Sequence, residues 1–143
     1  MAEINWQQLI DEAVTAMKKA YAPYSGYPVG AAAFVDDGRI VSGCNVENAA
    51  TGVGLCAECG MISELIMGGG GRLTAFVAVN GNSEVIVPCG RCRQLLYEHG
   101  GAKLEVLMPR GVVPLSVVLP DAFGPEDLGE VATAVQVDIK IAD

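Results

Sequence analysis

The stretch VGAAAFVDDGRIVSGCNV, residues 29–46, has the pattern of a β-hairpin. Val29 to Val35 is a short apolar run bounded by turn residues, which predicts a buried strand. Asp36-Asp37-Gly38 is typical of a tight hairpin turn, so Arg39 to Val46 is predicted to be the antiparallel partner. We therefore expect a sheet that contains this hairpin as two of its strands.

Helical patterns lie on both sides of the hairpin. Ile4 to Tyr21 has apolar residues at three- and four-residue spacing, which predicts a helix, and the helix breaker Pro23 follows it. Pro88 is typical of the start of a helix, and glycines follow two of the helical patterns. These signals predict two further helices, about Ala57 to Met67 and about Gly90 to His99.

Three more apolar runs predict the remaining strands, Leu73 to Val79, Leu104 to Met108 and Val112 to Val118. Asp121 to Leu128 predicts a short helical turn. The tail from Val135 to Ile141 alternates apolar and polar residues, which fits an edge strand or a segment that covers a partner. Strands that alternate with helices are typical of an α/β fold, in which helices cover both faces of one sheet.

Composition and charge exclude several classes of protein. The chain has 143 residues, which suits a single domain over 1–143 with a tail of undetermined role at 129–143. Hydrophobic residues make up 51% and charged residues 18%, which excludes a disordered chain and predicts apolar surface buried between subunits. The net charge of -8 and the lack of a basic cluster argue against a nucleic-acid polymer as partner. We found no pattern typical of a membrane span or a signal peptide, so we expect a cytoplasmic protein without a membrane partner.

Three of the five cysteines lie at predicted helix starts. Cys89 and Cys92 are three residues apart in the first turn after Pro88, so both sulfurs share one face, and Cys56 begins the preceding helix. The N-terminus of a helix stabilises a thiolate, the form that binds metal. Three thiolates suit a tetrahedral Zn²⁺ site whose fourth position is open to water.

Glu58 indicates what such a site does. It lies two residues after Cys56, off the helix face of that ligand, where a carboxylate can accept a proton from a metal-bound water. A closed structural zinc site is the main alternative, with Cys59, Cys44 or His99 as fourth ligand, but it leaves Glu58 and Pro88 without a role. A redox pair of Cys89 and Cys92 would leave Cys56 unused.

The sequence resembles the small homotetrameric cytidine deaminases. The resemblance extends from about Trp6 to Leu128. It is carried by these motifs: Tyr21-Ala22-Pro23-Tyr24-Ser25, Val29-Gly30-Ala31-Ala32, Gly43-Cys44-Asn45-Val46-Glu47-Asn48, Cys56-Ala57-Glu58, Pro88-Cys89-Gly90-Arg91-Cys92-Arg93-Gln94 and Leu119-Pro120-Asp121-Ala122-Phe123. It implies a three-layer α/β/α sandwich around a five-stranded mixed sheet, one Zn²⁺ per subunit on Cys56, Cys89 and Cys92, and proton transfer by Glu58.

The resemblance also implies a set of substrate-binding residues. Asn45 and Glu47 would hold ribose hydroxyls, and their alternate positions in the predicted strand place both side chains on one face. A polar strand end with Asn48 as a cap is the alternative that spacing alone favours. Tyr27 and the Phe123 of a neighbouring subunit would sandwich the pyrimidine, and backbone groups around Ala57 would hydrogen-bond it.

The function implied is the hydrolytic deamination of cytidine and deoxycytidine to uridine and deoxyuridine with release of ammonia, in pyrimidine salvage. Another aminopyrimidine nucleoside as substrate, such as a nucleoside antibiotic, is one alternative, and a non-catalytic zinc-stabilised binding domain is another. Two positions depart from the family pattern. Cys59 stands where several relatives have Arg, and Thr51 stands where Tyr is common beside the ribose.

Overall fold

The computed structural model describes residues 3–129. Five strands are present: β1 Val29–Val35, β2 Ile40–Cys44, β3 Leu73–Asn80, β4 Glu105–Met108 and β5 Gly111–Pro114. The helices are α1 Trp6–Met17, α2 Ala57–Met67, α3 Gly90–Gly100, α4 Leu115–Val118 and α5 Pro125–Gly129, with a 3₁₀ turn at Thr51–Val53.

The strands form one mixed sheet in the order β2-β1-β3-β4-β5. The hairpin β1–β2 is antiparallel, as is β1–β3, whereas β3 and β4 are parallel and β4–β5 is again antiparallel. The prediction of an α/β fold with a five-stranded mixed sheet is therefore confirmed.

Side chains of the central strands alternate between two apolar cores. Ala31 and Phe76 point into the core beneath α2 and α3, whereas Ala32 and Val77 point into the core beneath α1. All four are fully buried. This alternation gives the three layers, with α1 on one face of the sheet and the two cysteine-bearing helices on the other.

The helices begin where local chemistry favours it. The Asn5 side chain caps α1 by accepting a hydrogen bond from the backbone N–H of Gln8, at 3.1 Å. On the opposite face, Gly43 lets α2 approach β2 closely, because a Cβ at Gly43 would lie 2.3 Å from the carbonyl oxygen of Ala57. The depth at which α2 sits on the sheet therefore depends on the absence of a side chain at this position.

Several predicted boundaries were wrong. The first helix is α1, Trp6–Met17, not Ile4 to Tyr21, and β2 ends at Cys44 instead of Val46. The run Val112 to Val118 is not one strand: β5 ends at Pro114 and the next four residues form α4, because Pro114 ends the strand and Leu115 turns into the core. The turn predicted at Asp121 to Leu128 is the helix α5, Pro125–Gly129.

The predicted segment Val135 to Ile141 lies outside the described residues. Over residues 3–129, no helix has the length and apolar character that a membrane crossing requires.

Candidate active site

Two helices meet at a cluster of three sulfurs. Cys56 is the N-cap residue of α2, Cys89 is the N-cap residue of α3, and Cys92 lies in the first turn of α3. Their three Sγ atoms all lie within 4.8 Å of one another. The local predictions for these positions are confirmed, because Pro88 and the helix start after it place both sulfurs of α3 on the side that faces α2.

The thiols differ in their tendency to ionise. Burial raises the pKa of Cys92, and the Glu58 carboxylate raises it further. Burial also raises the pKa of Cys56. Burial opposes ionisation at Cys89 too, but the backbone N–H of Cys92 and the neighbouring thiols lower its pKa below the ordinary value. Three sulfurs and a carboxylate packed this closely repel one another when ionised, so the arrangement favours a bound cation.

Zinc fits this donor set. Zn–S bonds of about 2.3 Å in a tetrahedron put the sulfurs about 3.8 Å apart, within reach of small side-chain rotations from the observed cluster. Three protein ligands leave one position of the tetrahedron for water. The residues that hold zinc here are Cys56, Cys89 and Cys92.

Glu58 is buried beside the sulfurs. It lies in the first turn of α2, is 4% exposed, and is the one charged residue that is fully buried among residues 3–129. Its Oε2 accepts a hydrogen bond from Sγ of Cys92 at 3.2 Å. The carboxylate thus lies next to the metal ligands while it lines the neighbouring cavity.

The cavity has a volume of about 570 Å³ and joins the cysteine cluster to the residues that follow β2. Cys56, Ala57, Glu58, Pro88 and Cys89 line the end near the cluster, and Asn45 and Glu47 line the side that the hairpin provides. A cavity of this size accommodates a small polar molecule. One end of the cavity therefore carries the metal ligands and a carboxylate, and a separate side wall carries further polar side chains.

Asn45 and Glu47 lie just beyond β2, so their predicted placement within the strand was wrong. They flank Val46, which bridges both Tyr21 and Leu55. Both side chains nevertheless line the cavity, which agrees with the prediction that they lie on one face of the extended chain. The pairing of Val46 with two separate segments is what holds this short extended stretch in place.

Asn45 and Glu47 also hold the segment that precedes β1. The Asn45 amide accepts from the backbone N–H of Val29 at 2.8 Å and donates to the carbonyl of Tyr27 at 3.0 Å. Oε1 of Glu47 accepts from the backbone N–H groups of Tyr24, at 2.9 Å, and Ser25, at 3.1 Å. Both of these backbone N–H groups thus bind the same carboxylate oxygen of Glu47.

Hydrogen bonds from Ser25 and from the Tyr24 backbone lower the pKa of Glu47 below its ordinary value. The carboxylate is therefore ionised at neutral pH and presents an acceptor oxygen to the cavity.

The structure does not bring the two predicted aromatic residues into the cavity of this chain. Tyr27 and Phe123 are both at least half exposed, at 50% and 58%, and neither lines it. Tyr24 does line it. The motif Ala22-Pro23-Tyr24-Ser25 contains Tyr24, but its aromatic character alone could not separate it from Tyr27.

Further lining residues were not predicted from the sequence. They are Val29, Val46, Asn48, Ala49, Gly54, Leu55, Ile86, Val87 and Arg91. Ile86 and Val87 directly precede Pro88 and the zinc ligand Cys89. Their position next to a metal-binding motif could have predicted that they line the cavity. Val46 and Leu55 are paired with each other across the cavity wall, which depends on a non-local contact.

Comparison with known proteins agrees with this site. The family model for the cytidine and deoxycytidylate deaminase zinc-binding region matches residues 4–108. A cytidine deaminase of Mycobacterium tuberculosis is 52% identical over 128 residues, which cover 90% of this chain and 96% of that protein. A cytidine deaminase of Sporosarcina psychrophila is 36% identical and covers 88% of this chain and 96% of its own.

Solved structures of relatives have the same fold. The cytidine deaminase of Mycobacterium leprae superposes with a TM-score of 0.81 at 55% identity, covering 82% of this chain and 99% of that one. That of Burkholderia pseudomallei has a TM-score of 0.75 at 39% identity, covering 84% and 100%. The matched region contains all three zinc ligands and Glu58. The chain belongs to the cytidine deaminase family.

Proposed function

We propose that this chain hydrolyses cytidine and deoxycytidine to uridine and deoxyuridine. The single observation that carries the proposal is the position of Glu58, a buried carboxylate 3.2 Å from a zinc ligand and on the wall of a nucleoside-sized cavity. A zinc ion on Cys56, Cys89 and Cys92 supplies an acidified water at neutral pH.

Glu58 moves the protons of the reaction. It accepts a proton from the attacking water, whose oxygen forms a bond to C4 of the pyrimidine, and delivers that proton to N3. It then takes the second proton of the water oxygen to the amino group. The C4–N4 bond breaks, ammonia leaves, and the ring carries a carbonyl at C4. The burial of Glu58 and its contact with Cys92 support this role, because they hold the carboxylate beside the zinc ligands and at the wall of the cavity.

Asn45 and Glu47 bind the sugar in this proposal. Glu47 keeps one carboxylate oxygen for a ribose hydroxyl, chiefly the 3′ hydroxyl, and Asn45 keeps one amide N–H. Because the same two side chains fix the Tyr24–Val29 segment, they are pre-organised and lose little rotamer entropy when substrate binds. Backbone groups around the buried Ala57 hydrogen-bond the base.

The active unit is a homotetramer in which neighbouring subunits share active sites. The exposed apolar side chains support an oligomer, and they include Tyr24, Val53, Leu55, Val87 and Phe123. Phe123 lies outside the cavity of its own chain, which leaves its exposed ring available to stack on the pyrimidine of a neighbour. A cytoplasmic location and a place in pyrimidine salvage stay predictions.

The experiment is a substrate panel. Zinc-loaded protein is incubated with cytidine, deoxycytidine, cytosine, cytidine 5′-monophosphate and nucleosides with a modified pyrimidine, and the products are separated by chromatography. We expect uridine and deoxyuridine, with little product from the free base, because Asn45 and Glu47 recognise a sugar. Deamination only of a modified nucleoside, or of none, would overturn the proposal.

A further inference from the structure

On the basis of the zinc site and the activity proposed above, we infer that Arg93 is a positioning residue for the zinc ligand Cys89. Arg93 lies one residue after Cys92 and one helical turn after Cys89. It has no place in the cavity lining, and the proton transfers described above do not use it. Its side chain instead donates hydrogen bonds to the carbonyls of Pro88, the residue before Cys89, and of Val118.

Arg93 holds the two peptide groups that flank Cys89. Its backbone N–H donates to the carbonyl of Cys89 at 3.0 Å, and its side-chain Nε donates to the carbonyl of Pro88 at 2.9 Å. The two bonds fix the peptide planes before and after the Cys89 Cα. The direction of the Cα–Cβ bond follows from those two planes, which restricts Sγ to the few positions that the staggered rotamers about this bond allow.

Cys89 needs such support more than its partners do. Cys92 is 1% exposed and is held by core packing, and Cys56 is half-buried, whereas Cys89 is exposed. Core packing therefore does not set the orientation of this ligand.

The other end of the guanidinium is fixed to the body of the fold. One terminal nitrogen of Arg93 donates to the carbonyl of Val118, the last residue of α4, at 2.9 Å. Helix α4 is itself anchored by Leu115, which is fully buried. The planar guanidinium thus connects the Pro88 carbonyl to a rigid element, and a lysine amine cannot span both carbonyls in the same way.

Arg93→Lys tests this role, because it keeps the positive charge and removes the two-carbonyl bridge. Zinc affinity is measured by competition with a chelator, and ligand geometry by the visible absorption of the Co²⁺-substituted protein. We expect zinc to bind about 10- to 100-fold more weakly, as is typical when a residue that orients a ligand is lost. We also expect the Co²⁺–thiolate absorption to change, because the Cys89 sulfur moves.

Arg72→Lys is the matched control. Arg72 also binds α3, by one hydrogen bond of 3.2 Å to the carbonyl of Glu98, but at the opposite end of the helix. It should leave zinc affinity and the Co²⁺ spectrum unchanged. Arg93→Gln, which also removes the charge, provides a second variant and should weaken zinc binding at least as much as Arg93→Lys.

An Arg93→Lys protein with parental zinc affinity and a parental Co²⁺ spectrum would overturn the inference. Equal losses in Arg72→Lys would also overturn it, since they would indicate a general loosening of α3. Because both readouts are independent of turnover, weak zinc binding in Arg93→Lys beside a parent that deaminates no nucleoside would support the inference and reject the proposed function.

Discussion

Sγ of Cys92 lies 3.2 Å from Oε2 of Glu58, so the most buried zinc ligand and the proposed proton carrier are in direct contact. The contact joins the first turns of α2 and α3. It explains why both helices must start where they do: a shift of either helix by one residue would separate the two groups.

Replacing a ligand should remove the metal while replacing a nearby cysteine should not. Cys92→Ser is expected to bind far less than one zinc per chain, because a serine hydroxyl is a poor zinc ligand at neutral pH. Cys59→Ser is the control, since Cys59 is half-buried in α2 and outside the sulfur cluster. Metal content is measured by elemental analysis of protein loaded and then dialysed. Zinc loss in Cys59→Ser alone would contradict the ligand assignment.

The KM for cytidine should stay nearly constant as pH falls from 7 towards 5. Hydrogen bonds hold the pKa of Glu47 below its ordinary value of 4.5, so the carboxylate stays ionised over this range and loses its charge only at lower pH. Steady-state kinetics across this range separate KM from kcat, which follows the other titrating groups. A KM that rises with a midpoint above pH 5 would contradict the role of an ionised Glu47 in substrate binding.

Substitution by alanine should lower the free energy of unfolding at Gly43 and raise it at Gly60. A Cβ at Gly43 would lie 2.3 Å from the Ala57 carbonyl and 2.5 Å from the backbone nitrogen of Met61, so Gly43→Ala should lower the free energy of unfolding by about 3 kcal/mol. A Cβ at Gly60, within α2, would meet nothing closer than 3.7 Å. Gly60→Ala should therefore stabilise the protein by up to about 1 kcal/mol.

Urea unfolding of both variants measures the difference. Equal stability of the two would show that α2 does not sit on β2 at the observed depth.

The proposed homotetramer with shared active sites predicts complementation between two weakened variants. Phe123→Ala lacks the proposed stacking ring and Glu58→Ala lacks the proposed proton carrier, so each variant assembled alone should have very low activity. In randomly mixed tetramers a Phe123→Ala subunit keeps its own Glu58 and receives an intact ring from a Glu58→Ala neighbour. About one quarter of the sites are then complete.

The variants are unfolded together, refolded as a mixture and assayed against each one refolded alone. Activity that does not rise above the sum of the separate variants would indicate that Phe123 acts within its own chain or not at all.

Local signals in the sequence were sufficient for the zinc site. The positions of Cys89 and Cys92 follow from Pro88 and one turn of helix, and those of Cys56 and Glu58 from the start of α2. Each of these depends on a few neighbouring residues. The central strands were predictable for a similar reason, since their apolar runs are long and turn residues bound them.

The features that depend on distant contacts were not predictable. The run Val112 to Val118 reads as one strand, because a short apolar stretch fits a strand and a buried helical turn equally well. Asn45 and Glu47 were expected within a strand, but they lie beyond it and bind the backbone of the Tyr24–Val29 segment. No local sequence pattern predicts that Tyr24 lines the cavity and that Tyr27 does not.

Ammonia release from cytidine, measured side by side for the zinc-loaded protein and for Glu58→Ala, tests the central claim most directly. The parent should release ammonia in step with uridine formation. Glu58→Ala should keep one zinc per chain and lose activity by a factor of about 10² to 10⁴, the usual contribution of a general acid–base group. A zinc-loaded, folded parent that releases no ammonia, or a Glu58→Ala protein with parental turnover, would contradict the account.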